Sequence, residues 1–206
     1  MNLTTSFFLF FASVLLFSSI ASAKLTEQQA NSLYANAQSG DKRSFDTLLA
    51  EAKNGDAFAQ NKMGNLARGY DNAAAIAWYR KSADQGYANA QYNMGLCYYN
   101  GFGTAINYAE AAVWYHKSVA QGYDKAQYNL GTMYKSGKCV QQDLVKALSL
   151  YRKAAEQGNM HAQSALGFHY LSGQGIEVNS VLGESWIKKA AAQGDERALK
   201  YLAKNK

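Results

Sequence analysis

Apolar positions along this chain follow a helical beat, and the beat itself repeats. In the segment from Ala90 to Gly101, Ala90, Met94 and Tyr98 stand four apart and share one helical face. Gly95 sits beside them, a small residue where a second helix can approach closely. The same string, Ala-Gln-x-x-x-Gly-x-x-Tyr-x-x-Gly, returns at Ala126–Gly137 and at Ala162–Gly173, 36 residues apart each time (126 − 90, 162 − 126). A Gln-Gly pair keeps the same interval at Gly86, Gly122, Gly158 and Gly194. A fixed period in this range signals a stacked repeat architecture, in which no unit buries its apolar face alone.

Each unit predicts two helices. Helix A covers Phe58–Arg68, Asn89–Tyr99, Lys125–Lys135 and His161–Leu171. Helix B starts after Asp71, Asn107, Asp143 and Asn179, side chains that accept from the free N–H groups of a first turn. It ends at each Gln-Gly, where glycine closes a helix in the left-handed conformation. The B stripes are Ala111, Trp114, Tyr115 and Ser118, then Ala147, Leu150, Tyr151 and Ala154, then Gly183, Trp186, Ile187 and Ala190. The units are 57–87, 88–123, 124–159 and 160–195, and the first is shortened by five residues in its A–B loop. Residues 24–56 predict a degenerate helix pair, with Thr26 as N-cap and a second helix over Lys42–Lys53. Residues 196–206 predict a closing helix; both ends are atypical because their outer faces meet water. The complete absence of proline suits an unbroken series of helices.

These residues resemble the Sel-one-like repeat (SLR) family, a relative of the tetratricopeptide repeat. The third unit matches most fully, with Asp143, Lys146, Ala147, Tyr151, Lys153, Ala154, Ala155, Gln157 and Gly158 in place. Departures are the short first loop, Gly183 where alanine is usual, and Cys139 where the loop's second glycine would stand. The resemblance covers about 57–204. It implies an all-α, right-handed α-solenoid of helix pairs whose concave groove binds a protein or peptide without catalysis. In bacteria it implies an exported adaptor or scaffold in the envelope or at a host interface. The alternatives are an immunity protein that neutralises an antibacterial effector and, from another class, a cell-wall or β-lactam hydrolase.

Residues 1–23 read as a signal peptide: an apolar run over Phe7–Ile20, then Ala21-Ser22-Ala23 as a small-x-small cleavage site. The run falls short of the roughly 20 residues a membrane span needs. No Lys or Arg precedes it, a departure from the usual pattern. A periplasmic or secreted protein is expected, with no stable membrane span after cleavage. The net charge of +6 is scattered through helical periods rather than clustered. It therefore reads as a solvated surface, not a nucleic-acid face.

If helix A lines the groove, its non-core positions meet the partner. The expected contacts are Asn61, Arg68, Tyr92, Leu96, Tyr99, Lys125, Tyr128, Lys135, Phe168 and Leu171, with Phe58, Asn65, Asn89, Thr132, His161 and Ser164 at equivalent positions. This set is aromatic, polar and basic and holds no Asp or Glu, which favours a partner with acidic segments. No Cys-x-x-Cys, His-x-x-x-His or phosphate loop is present. His116, His161 and His169 fall in different helices. Neither a metal nor another cofactor is expected. Cys97 and Cys139 are candidates for one disulfide, closing a loop of 42 residues (139 − 97) and contributing about 4 kcal/mol at best. The alternative is a buried free Cys97.

Overall fold

The structure is a computed structural model, and it describes residues 24–138 and 140–205. The expected signal peptide (1–23) and Cys139 lie outside the described residues.

Among the described residues the chain is entirely helical, with eleven α-helices. The first pair is α1 (Glu27–Gln38) and α2 (Lys42–Lys53). The A helices of the four units are α3 (Ala57–Ala67), α5 (Ala88–Asn100), α7 (Asp124–Ser136) and α9 (Met160–Ser172). Their B partners are α4 (Asn72–Asp84), α6 (Tyr108–Ala120), α8 (Leu144–Glu156) and α10 (Ser180–Ala192). The last helix, α11 (Glu196–Lys204), packs on α10 as the next A helix would. Each helix contacts its chain neighbours, so the units stack in order. No described helix is long and apolar enough to cross a membrane.

The B-helix caps form as the Asp/Asn pattern predicts. Asp71, Asn107, Asp143 and Asn179 accept from the N–H of Ala74, Glu110, Lys146 and Leu182 at 2.9–3.1 Å. Three A helices end on glycines in the left-handed region, Gly101, Gly137 and Gly173, as a C-terminal turn requires.

The core is built from large side chains set against small ones. Tyr79, Tyr115 and Tyr151 are almost wholly buried, and each crosses a glycine of its A partner. A Cβ on Gly64 would come within 2.5 Å of the Tyr79 ring. One on Gly131 would come within 2.9 Å of Tyr151. In the fourth unit Ile187 fills this role over Gly167. Trp114 is also buried, with Arg80 and Lys117 cations 5.0 and 4.0 Å from its ring.

The recurring glutamines stitch the units together. Gln91 is buried on α5 and donates to the Ala83 carbonyl at the end of α4. Its own carbonyl oxygen accepts from Gln121 Nε2 at 2.8 Å, and Gln121 also donates to the Gly86 carbonyl. The same amide-to-amide bond joins Gln85 to Gln60, Gln157 to Gln127 and Gln193 to Gln163. Gln60 and Gln163 likewise donate to the Ala52 and Ala155 carbonyls at the ends of α2 and α8. Within the units, Ser82 and Ser118 tie B helix to A helix by donating to the Ala57 and Ala88 carbonyls.

Candidate binding face on the A helices

The A helices bring part of the expected set together. An open hollow of about 490 Å³ runs across α5, α7 and α9, lined by Tyr92, Lys125, Tyr128, Asn129, Met160 and His161, with Asp124 and Asn159 at the corners. The Tyr128 ring lies 5.7 Å from His161 on the next unit and 5.7 Å from Tyr151 beneath it. The Tyr92 ring lies 5.3 Å from Tyr123 and 6.0 Å from Tyr115. The core tyrosines end at this face: Asn129 donates to the Tyr115 hydroxyl, and Thr132 is 3.2 Å from that of Tyr151.

The hollow carries charge of both signs. Asp124 accepts from Asn159 Nδ2 at 2.8 Å, which corrects the expectation of a lining free of carboxylates. His161 Nδ1 lies 3.3 Å from Asp195, the buried N-cap of α11. Burial opposes ionisation of that carboxyl, but the Ala198 N–H and His161 outweigh it and hold its pKa below the usual value.

Other expected contacts fall elsewhere. Asn61 is wholly buried and not a surface contact. It faces α5, where its Oδ1 accepts from Asn93 Nδ2 at 2.8 Å. The position invited a groove reading because tyrosines occupy it in the next two units. Asparagine is too short to reach past the neighbouring helix. Phe168 is half-buried under α11, 5.7 Å from Tyr201 and beneath the Arg197 guanidinium at 4.8 Å. Leu171 packs against the core at Ile187, on the Gly183 turn of α10. Tyr99 stands at the loop edge, 5.2 Å from Tyr108 and 4.7 Å from the Lys138 ammonium. Arg68 and Lys135 are exposed at the ends of their helices, and Leu96 is half-buried. Cys97 is a buried free thiol whose pKa burial pushes up to about 11.

Two residues of this face were not in the expected set. Tyr87 and Tyr123 occupy the N-cap positions of α5 and α7, and neither makes a side-chain cap bond. The matching positions elsewhere are Asp56, Asn159 and Asp195, and all three cap. An Asp or Asn cap is worth about 1 kcal/mol over a residue that cannot bond. The two tyrosines forgo it and instead set rings along the face. Tyr87 meets Phe58 edge-on at 4.9 Å and donates to the Glu27 carboxylate. Tyr123 meets Tyr92. The signal was legible as a missing Asp or Asn after Gly86 and Gly122.

The histidines do not converge on one site. His169 is buried and bonds through Nδ1 to the Gln174 carbonyl at 2.7 Å, while His116 lies 3.4 Å from the Tyr134 hydroxyl. Among the described residues no group of His, Cys, Asp and Glu is placed to hold a metal ion.

A stack of helix pairs with one aromatic face defines a solenoid of the repeat-protein class. The family follows from comparison with known proteins: the Sel1 repeat profile matches residues 57–87, 88–123, 124–159 and 161–195, and the chain belongs to that family. Proteins with these repeats generally mediate protein–protein interaction. A crystal structure of a protective antigen of uropathogenic Escherichia coli, described as displaying an SLR fold, is similar at 36% identity and TM-score 0.71 over 76% of this chain and 35% of that one. An immunity protein of Pseudomonas aeruginosa shares the fold at 21% identity and TM-score 0.59, over 86% of this chain and 71% of that one. A rat protein named DAP3-binding cell death enhancer 1 is 48% identical over 50 residues, which are 23% of this chain and 10% of that protein. The chain thus spans about a third or less of the first relatives it matches.

Proposed function

We propose that this chain is a non-catalytic binding module that holds a protein or peptide partner on its A-helix face, and that it works outside the cytoplasm, in the periplasm or beyond. The observation that carries the reading is the pair Tyr87 and Tyr123. Local rules of helix capping are broken at two adjacent corners, and only there among the helix N-termini of the repeat units. A departure from local consistency at two matching positions points to a functional position. Tyr123 packs on Tyr92 at the hollow lined by Tyr92, Tyr128, Lys125 and His161. Half-buried tyrosine rings and exposed cations are the residue types that anchor interfaces. The scattered histidines, each engaged by a different structural neighbour, favour binding over chemistry. Export rests on the reading of residues 1–23 alone.

The test is affinity capture from a native envelope fraction with wild-type protein and with Tyr92→Ala plus Tyr128→Ala, followed by mass spectrometry. The expected result is a specific protein retained by the wild type and lost by the double variant at unchanged helicity. Equal retention by both would count against this face.

A further inference from the structure

We infer that the A-helix face of the first two units contains a receptor for a carboxylate of the partner, with the Lys62 ammonium as its cation. This rests on the proposed use of the A-helix face for binding, and it adds the chemistry of one contact.

Lys62 lies on α3 with only 8% of its surface exposed. Lysine is almost never buried to that extent without a partner. Its ammonium has no ion pair or hydrogen bond among the described residues, and its neighbour is the Tyr34 ring at 5.2 Å. The nearby acid, Glu27, accepts from the Tyr87 hydroxyl and acts on Lys62 electrostatically without forming a direct ion pair. The equivalent residues of the next two units are Asn93 and Asn129, and Asn129 lines the hollow, so this helix position looks onto the A-helix face.

A second observation points the same way. Asn61, adjacent on the helix and wholly buried, uses its Oδ1 to accept from Asn93, while its Nδ2 has no acceptor. Asn93 spends its own donor on Asn61 and Asn89. The Asn61 amide therefore brings a surplus donor to this patch, and an unmatched buried donor is costly. Lys125, from the third unit, also acts on Lys62 electrostatically and opposes the effect of Glu27. A desolvated cation beside a surplus donor is matched by an anion with oxygen acceptors. In a protein partner that group is a carboxylate.

The test uses acetate as probe on the full chain labelled with ¹⁵N and with ¹³C-lysine. Sodium acetate is titrated against sodium chloride at matched ionic strength, with acetamide as the neutral isostere. The Lys62 ε-CH₂ and Asn61 side-chain amide signals should move saturably with acetate alone. Lys62→Met should weaken that response about tenfold or more, and Lys125→Met, at an exposed position, should weaken it several-fold without touching the core. N-acetylglycine and N-acetylaspartate amide then separate a chain-terminal from a side-chain carboxylate; saturation by either supports the site. Unmoved signals, identical shifts with chloride, or a response that survives Lys62→Met would overturn it. Failure here would leave partner capture through Tyr92 and Tyr128 intact, so the two readings are separable.

Discussion

The ring of Tyr115 lies across Gly95 so closely that a Cβ at that glycine would fall 2.4 Å from its Cε1 atom. No real Cβ sits so near a ring, so the A and B helices of the second unit can meet only if position 95 has no side chain. Gly95→Ala should destabilise by about 1–3 kcal/mol through overpacking. Gly131→Leu, whose first atom alone would lie 2.9 Å from Tyr151, should unravel the stack. Urea unfolding followed by circular dichroism checks both; a wild-type midpoint for either would contradict this packing.

Gln91 links two units through its amide, so its loss should be felt across the corner. Gln91→Ala removes two hydrogen bonds, leaving the Ala83 carbonyl only the Gly86 N–H and the Gln121 amide only the Gly86 carbonyl. The expected cost is about 1–3 kcal/mol, read as a lower urea midpoint. A shift of only a few tenths would show that water replaces the amide at no cost.

Tyr123→Asn separates binding from stability. Asparagine restores the cap that α7 lacks, a gain of about 1 kcal/mol, and removes the ring beside Tyr92, a loss of about 0.5–1.5 kcal/mol. Melting should therefore stay close to wild type while partner capture weakens. Undiminished capture would remove the functional reading of the missing cap.

Burial lowers the His169 pKa, only partly offset by its bond to the Gln174 carbonyl. His116 is lowered as well, by burial and then by Lys146. The unfolded chain therefore takes up these protons more readily than the folded one. Stability is fully present above the ordinary histidine value of 6.5 and is lost as pH falls below it, through the lowered folded values. Urea midpoints between pH 7.5 and 5 should decline, and His169→Gln should flatten the decline while leaving the His116 share. An unchanged slope would show that His169 is not held neutral.

The Cys97 thiol, buried and raised to about 11, should resist iodoacetamide in native protein at pH 8 and react once the protein is unfolded without reductant. Intact mass reads the difference. A thiol that reacts only after reduction would establish a bridge instead.

The fold was legible because its determinants are local and repeated. Ala90, Gly95 and Tyr115 recur at one interval, and their packing demands that interval. The glutamines were visible only as markers: nothing in a string of letters says that Gln91 and Gln121 meet head to head. The binding face was partly legible. Tyr92, Lys125 and Tyr128 follow from helix geometry, whereas Asn61 does not, because position on a helix does not tell how far a side chain reaches past its neighbour. Tyr87 and Tyr123 do not follow from helix geometry, because they stand at the corners before the helices begin.

The loops add one more constraint. A Cβ on Gly103 would lie 2.1 Å from the Asn72 carbonyl oxygen, so the loop of the second unit presses its backbone onto the start of α4 in the first. Gly175 bears on Leu144 and Leu148 of α8 in the same manner. The second and fourth units are thereby wedged against the units before them by contacts that share no residue with the aromatic face. A side chain added at either glycine would therefore push on the spacing between units and leave the composition of the aromatic face unchanged.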